Sequence, residues 1–366
     1  MQYNNEKKYD FISFDITSNC NLRCPFCLND FSKIRGNTNV TQDTFQKVIA
    51  LIPLIKETGS FYFSCLFEPT LHPDFAELLY KIPKEHRNKV FFTTNLAKTL
   101  SDEEIEKMSL SGIDHINISL DTLNQNLFET IRNGIKYSTF HHNLNRIVTV
   151  FKHTATAPKI NFITILIKDN INECRSILEK CATDFHANNN EFRCFWFHDY
   201  HDQKWLTKQT ITKNDWITLK EQLQSQNKRF SLGEYIDPPT VKKEGIVKNC
   251  DPLSQNPPFS ALRISSSGII EPFRMPCNFY LDINSMNEPY ETMKCFAEIQ
   301  SIAFLRGEKI KSLRDSKKSL EKEKDAMGRN LNRKCHRFAE RISNVTLLRN
   351  LYLKVTKQSS TPSHKF

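Results

Sequence analysis

Three cysteines fall within eight residues of this chain, in the run Asn19-Cys20-Asn21-Leu22-Arg23-Cys24-Pro25-Phe26-Cys27. The spacing C-x3-C-x2-C lets three thiolates on one loop converge on a single metal centre. A cubane iron–sulfur cluster normally takes four thiolates, so three leave one iron open to a substrate or cofactor. Zinc would need a fourth ligand recruited from elsewhere. A disulfide would leave one thiol over and suits a reducing compartment poorly. Inert buried cysteines rarely cluster on a loop, so the pattern points to an iron–sulfur centre.

Such a loop needs a rigid scaffold. Six short apolar runs, rich in β-branched and aromatic residues, read as buried strands: Phe11–Thr17, Ser60–Phe67, Lys89–Asn95, His115–Asp121, Lys159–Lys168 and Phe192–Tyr200. Helical patterns alternate with them at Thr41–Gly59, Phe75–Lys84, Ser101–Gly112, Phe140–His153 and Asn170–Phe185. Ser101 followed by Glu104 forms a capping box. Six β/α units imply a parallel sheet, either open or curled into a full or partial barrel, with a site at the C-terminal ends of the strands. The cysteines follow the first strand directly and therefore lie at that end. Residues 201–249 are polar and read as a connector with one helix around Trp216–Gln226. Residues 250–300 are irregular, with a short hairpin of Ala261–Ile264 and Ile269–Ile270 around Ser265–Gly268.

Composition narrows the function classes. Among the nine glycines of the 366 residues the closest two are twelve apart, so no GxGxxG and no GxxxxGK[ST] can be written. A Rossmann dinucleotide loop, a P-loop and a Gly-rich kinase loop are excluded in their usual forms. Residues 301–366 carry seventeen Lys and Arg against six Asp and Glu, more than the whole net charge of +10. The basicity is thus a tail property, expected to be helical, and it suits an anionic partner or simply a solvated helix face. No apolar leader opens the chain and no membrane-length apolar run occurs. Eleven cysteines without a secretory leader point to a reducing, cytoplasmic setting.

The cysteine motif, with Phe26 before the third cysteine, resembles the signature of the radical S-adenosylmethionine (radical SAM) enzymes, and the resemblance extends over about residues 10–200. It implies an α/β fold, a partial (β/α)6 TIM-like barrel, over residues 1–200. It also implies a [4Fe–4S] cluster on Cys20, Cys24 and Cys27, with S-adenosylmethionine on the fourth iron. Reductive cleavage would yield a 5'-deoxyadenosyl radical that abstracts hydrogen from a substrate, with an electron donor such as flavodoxin or ferredoxin. Phe26 matches an aromatic near the adenine. The family's Gly-Gly-Glu-Pro aligns with Leu66-Phe67-Glu68-Pro69, which keeps Glu68 and Pro69 but neither glycine. Thr93-Thr94-Asn95-Leu96 resembles Thr-Asn-Gly with Leu96 for the glycine, and Ser119-Leu120-Asp121 matches Ser-Leu-Asp. Phe26, Glu68, Pro69, Asn95, Ser119 and Asp121 are therefore the expected cofactor contacts.

Residues 250–300 resemble the start of a SPASM or twitch extension, the small irregular appendage that carries auxiliary clusters in peptide- and protein-modifying relatives. Cys250, Cys277, Cys295 and Cys335 could hold one second iron–sulfur cluster, or be scattered thiols. The spacing from Gly268 to Cys277 is nine rather than the usual five, and the later dense run of cysteines is absent. Cys65, Cys174, Cys181 and Cys194 read as core. His72 reads as structural and His336 as tail surface, while His198 and His201 could face a substrate. The expected substrate is a peptide or protein, with a sugar or small metabolite as runner-up. The rivals are an RNA-modifying protein guided by the basic tail and a non-catalytic zinc or iron–sulfur protein on the same scaffold.

Overall fold

A computed structural model of the chain describes residues 9–34, 37–64, 66–198, 200–226, 228–237, 241–242, 245–246, 261–272 and 281–294. The strands are β1 (Tyr9–Phe14), β2 (Ile55–Phe63), β3 (Val90–Thr94), β4 (His115–Ser119), β5 (Lys159–Leu166), β6 (Asn189–Cys194), β7 (Phe230–Leu232), β8 (Val241–Lys242), β9 (Gly245–Ile246), β10 (Ala261–Ile264), β11 (Ile269–Pro272) and β12 (Leu281–Asp282). The helices are α1 (Gln42–Ile49), α2 (Phe75–Lys81), α3 (Asp102–Leu110), α4 (Gln125–Ile131), α5 (Tyr137–Lys152), α6 (Cys174–Thr183), α7 (Gln203–Gln209) and α8 (Lys213–Gln224). Among the described residues ten strands form one sheet in the order β12-β11-β10-β1-β2-β3-β4-β5-β6-β7, and β8 pairs with β9.

From β10 through β7 every neighbouring pair is parallel. The six expected strands are β1 to β6, side by side in chain order. The sheet does not close: its two edges are the short strands β7 and β12. This is the α/β architecture expected, as an open, mostly parallel sheet. Alternation along each strand sends one set of side chains against the helices. Phe14 and Phe63 pack on Phe45 of α1, and Phe92 meets Phe75 of α2 edge-on at 5.0 Å. Burying aromatic rings this completely stabilises the fold by roughly 1.5–3 kcal/mol each.

Two local expectations are revised. The helix expected over Thr41–Gly59 stops at Ile49, because Pro53 has no N–H to continue it and instead opens a single 3-10 turn, Ile52–Leu54. The remaining residues belong to β2. Gly59 sits inside that strand, where a Cβ would lie 2.7 Å from the Asp10 carbonyl oxygen, beside the register shift between Tyr9 and Phe11. The connector holds two helices, α7 and α8, then β7, a further parallel strand against β6, and the pair β8 and β9. The hairpin of β10 and β11 is present, and β10 also runs parallel to β1 on the side away from β2. Cys65, Cys250, Cys277, Cys295, Cys335, His336 and the basic tail lie outside the described residues. No helix among the described residues is long and apolar enough to cross a membrane.

The loop after β1 is tied down from several sides. Ser18 N–H donates to the Thr38 carbonyl and Val40 N–H to that of Ile16, both at 2.8 Å. Arg23 N–H donates to the Asn133 carbonyl at 2.8 Å. Next to Asn133, Gly134 has φ +116°, and a Cβ there would lie 2.5 Å from the Asn21 carbonyl oxygen. Backbone strain of that kind costs about 1–3 kcal/mol before the clash is counted. Gly134→Ala is therefore expected to lower the urea midpoint by at least that much and to expose the cysteine loop to proteolysis. An unchanged midpoint would refute the close approach.

Candidate functional site

Cys20, Cys24 and Cys27 are partly buried and unpaired in disulfides. Each sulfur accepts at least one N–H, and three of the donors come from different parts of the chain. Asn95 Nδ2 lies 3.8 Å from Cys20 Sγ, Arg132 Nη1 3.8 Å from Cys24 Sγ, and the Asn29 backbone N 3.4 Å from Cys27 Sγ. Loss of water pushes the Cys20 thiol up to about 12 and the Cys24 thiol up to about 11, with Arg132 pulling the latter back. Cys27 is also raised, again by burial. Free thiols here are thus protonated at neutral pH, and loading a metal would release protons.

Glu68 is buried among protein partners. Its Oε1 accepts from the hydroxyls of Thr70 and Thr94, both at 2.7 Å, and from Thr70 N–H at 3.3 Å; Oε2 accepts from Asn95 N–H at 2.7 Å. Burial raises its pKa and these donors oppose the rise. The carboxylate thereby joins the loop after β2 to the end of β3 and aims Asn95 at Cys20. Glu68 N–H in turn donates to the Asn19 carbonyl at 3.0 Å, tying in the cysteine loop. Pro69 is buried in the single helical turn Pro69–Leu71 that Glu68 caps.

The missing glycines have different structural outcomes. Leu66 and Phe67 do not need left-handed backbone; in that loop Ser64 takes φ +78° instead. Leu66 is held by Asp15 Oδ1, which accepts its N–H at 2.9 Å, and by Asn29 Nδ2, which donates to its carbonyl at 2.6 Å. Leu96 does adopt the glycine conformation, with φ +53°, at a cost of roughly 1–2 kcal/mol that its complete burial offsets.

Ser119 is nearly buried at the end of β4. Asp121, two residues on, is fully buried and fully employed: Oδ2 accepts from Arg132 Nε at 2.6 Å and Oδ1 from Ile165 N–H at 2.8 Å. Arg132, which sequence reasoning missed, is itself buried and continues from Asp121 to Cys24. The signal for it was slight: a basic residue after a helix pattern, two positions before Gly134 and eleven after Asp121.

Phe26 is buried with Ile131, Ile167, Phe195 and Leu206, and its ring lies 6.1 Å from Trp205 of α7. The segment after β6 folds over the third cysteine. His201 Nε2 lies 2.6 Å from the Cys27 carbonyl oxygen, and Tyr200 donates its hydroxyl to the Leu28 carbonyl at 2.6 Å. His201 thus braces the loop. His72 is buried and accepts Asp74 N–H at Nδ1, which is a structural role. Cys174, Cys181 and Cys194 are buried core thiols, as expected. A shallow cleft of about 520 Å³ opens at the opposite, N-terminal ends of β4 to β7, lined by Asp114, His115, Lys159 and Phe230 among others. The functional site is assigned by its donor set rather than by cavity size.

The donor set fits an iron–sulfur cluster. Three soft thiols, each with an N–H directed at sulfur, supply the ligands and hydrogen bonds such clusters use. Among the described residues no three His, Cys, Asp or Glu side chains converge closely enough to share one metal ion. Cluster cysteines each bind a separate iron and so stand further apart.

The sequence profile of the Radical SAM superfamily matches residues 14–181. Residues 14–181 are a radical SAM domain. Among curated relatives, it is 27% identical to a probable GTP 3',8-cyclase of Methanocaldococcus jannaschii, over 46% of this chain and 54% of that protein. It is 31% identical to a GTP 3',8-cyclase of Chlorobaculum tepidum, over 38% of this chain and 41% of that protein. The chain thus spans about half the length of the curated relatives it matches. The fold resembles that of Streptococcus suis SuiB bound to S-adenosylmethionine, with a TM-score of 0.54, 15% identity, and 78% of this chain and 68% of that one covered. SuiB bound to its precursor peptide SuiA gives 0.52, with 14% identity, covering 78% and 66%. These structural likenesses show the fold alone, and the family of the matched domain implies a [4Fe–4S] cluster with S-adenosylmethionine.

In this radical SAM chain Glu68→Gln puts an amide N–H against one of the donors now facing the carboxylate. The expected loss is about 1–3 kcal/mol in urea unfolding, with slower cluster uptake as Asn95 loses its anchor. Stability equal to wild type would show that Glu68 does not join the two loops.

Proposed function

We propose that the protein is a radical SAM enzyme whose Cys20, Cys24 and Cys27 hold one [4Fe–4S] cluster. The observation that carries this is the three-sulfur arrangement, each sulfur with its own N–H donor, at the C-terminal ends of parallel strands. Bound there, the cluster and S-adenosylmethionine would supply one-electron reductive cleavage chemistry for hydrogen abstraction, with a donor of the flavodoxin or ferredoxin kind as the electron source. The protein's own contribution is orientation and exclusion of water. Phe26, with Trp205 and Phe195 behind it, forms an apolar wall beside Cys24 and suits the adenine side. Pro69, Asn95 and Ser119 line the strand ends where the cofactor's polar groups would lie. We assign Glu68 and Asp121 to holding Asn95 and Arg132 rather than to direct contact, since their carboxylates are taken up by protein donors.

For the substrate we favour a peptide or protein, supported by the shared scaffold with SuiB, whose structure holds its precursor peptide. The second reading is a purine nucleotide, supported by the GTP 3',8-cyclase relatives. Cys250, Cys277, Cys295 and Cys335 remain our candidates for an auxiliary cluster, and the basic tail for an anionic partner.

The test is iron and acid-labile sulfide per chain after anaerobic reconstitution, in wild type and in the Cys20/Cys24/Cys27→Ala variant. About four irons falling to nearly none is expected for one cluster, and about eight falling to about four if the auxiliary cysteines hold a second. With dithionite and S-adenosylmethionine, wild type is expected to form 5'-deoxyadenosine and the variant none. Zinc in place of iron, or iron indifferent to the triple change, would overturn the reading.

A further inference from the structure

The three sulfur donors are not equivalent. Asn95 offers a neutral amide and Asn29 a backbone N–H, whereas Arg132 offers a guanidinium that is always charged. Its position is over-determined. Asp121 Oδ2 takes Nε at 2.6 Å, which leaves Nη1 directed at Cys24 Sγ, and the guanidinium carbon lies 5.4 Å over the Phe26 ring. Asp121 cannot turn away, because its other oxygen holds Ile165 N–H at the C-terminal end of β5.

We propose that Arg132 sets the reduction potential of the iron–sulfur centre through its hydrogen bond to Cys24, with Asp121 as its anchor. This rests on the cluster reading above. Reduction adds one electron, supplied by the external one-electron donor, and breaks no protein bond. A buried cation beside a cluster thiolate favours the more negative, reduced state. Both hydrogen bonds to sulfur and nearby charge are known controls of cluster potential. Little water intervenes, since Arg132 is 8% exposed and Asp121 not at all, so the charge is weakly screened. Arg132 is thus a positioning residue acting through a ligand.

The experiment is an anaerobic redox titration of the reconstituted full chain, read by electron paramagnetic resonance, for wild type, Arg132→Gln and Arg132→Lys, each with iron counted first. At the wild-type midpoint, Arg132→Gln is expected to show a reduced-to-oxidised ratio about tenfold lower, which for one electron is about 59 mV. Arg132→Lys keeps the charge but not the planar fork, and a fall of about two- to threefold is expected. A ratio for Arg132→Gln within about twofold of wild type overturns the proposal, as does Arg132→Lys falling as far as Arg132→Gln. Should Arg132→Gln fail to retain iron, Arg132→Lys decides, an unchanged ratio overturning the proposal. A wild-type chain that takes up no iron sinks the cluster reading and this inference with it. A loaded wild type with indifferent variants sinks this inference alone.

Discussion

A carboxylate buried away from water must find donors or lose its charge, and Glu68 meets that requirement in a way that organises the site. Its donors are the Thr70 and Thr94 hydroxyls and the backbone N–H groups of Thr70 and Asn95, so satisfying one side chain brings the loop after β2 onto the end of β3. Asn95 is then held where its amide reaches Cys20, and the Glu68 backbone N–H ties the cysteine loop to both. Asp121 repeats the logic on the other flank, between β4, β5 and Arg132. The cysteine loop is thus flanked by two buried acids whose partners dictate which side-chain N–H groups face Cys20 and Cys24.

The parts of this arrangement legible from residues alone were those with strong local signatures. The six parallel strands announce themselves as short apolar runs because both faces are covered, and the capping box at Ser101 forms as its spacing requires. The cysteine triplet is readable because three thiols on one loop have few uses. Other features were hidden by context. Pro53 ends α1 well before Gly59, but the apolar pattern runs on into β2 and imitates a longer helix. Helix α7 and strand β7 lie in polar sequence whose apolar residues are few, and tertiary packing against Phe26 and β6 supplies what local pattern does not. Arg132 was invisible because a charged residue near a helix end normally reads as surface; only the fold brings Asp121 beneath it.

The resemblance to known motifs needed a physical correction rather than replacement. Two motif glycines are absent after β2, yet neither Leu66 nor Phe67 is asked for a left-handed conformation. The one absent glycine whose conformation survives is at Leu96, where a buried leucine side chain stabilises a backbone that its own Cβ disfavours. Motif glycines are therefore not interchangeable evidence: one marks a torsion, others only a clearance.

The position of β1 in the sheet carries an implication for how the molecule is made. Its partners are β2 on one side and β10 on the other, and Ser13 donates to the Leu262 carbonyl 249 residues away. The strand that launches the cysteine loop leaves the ribosome well before β10, yet one of its two edges stays unpaired until the chain beyond residue 264 has emerged. Such distant pairing is slow to form, and the exposed edge in the interim is open to wrong partners. Enclosure of the cysteine loop thereby waits on a distant segment: a motif made earlier cannot be fully covered until a hairpin made later arrives.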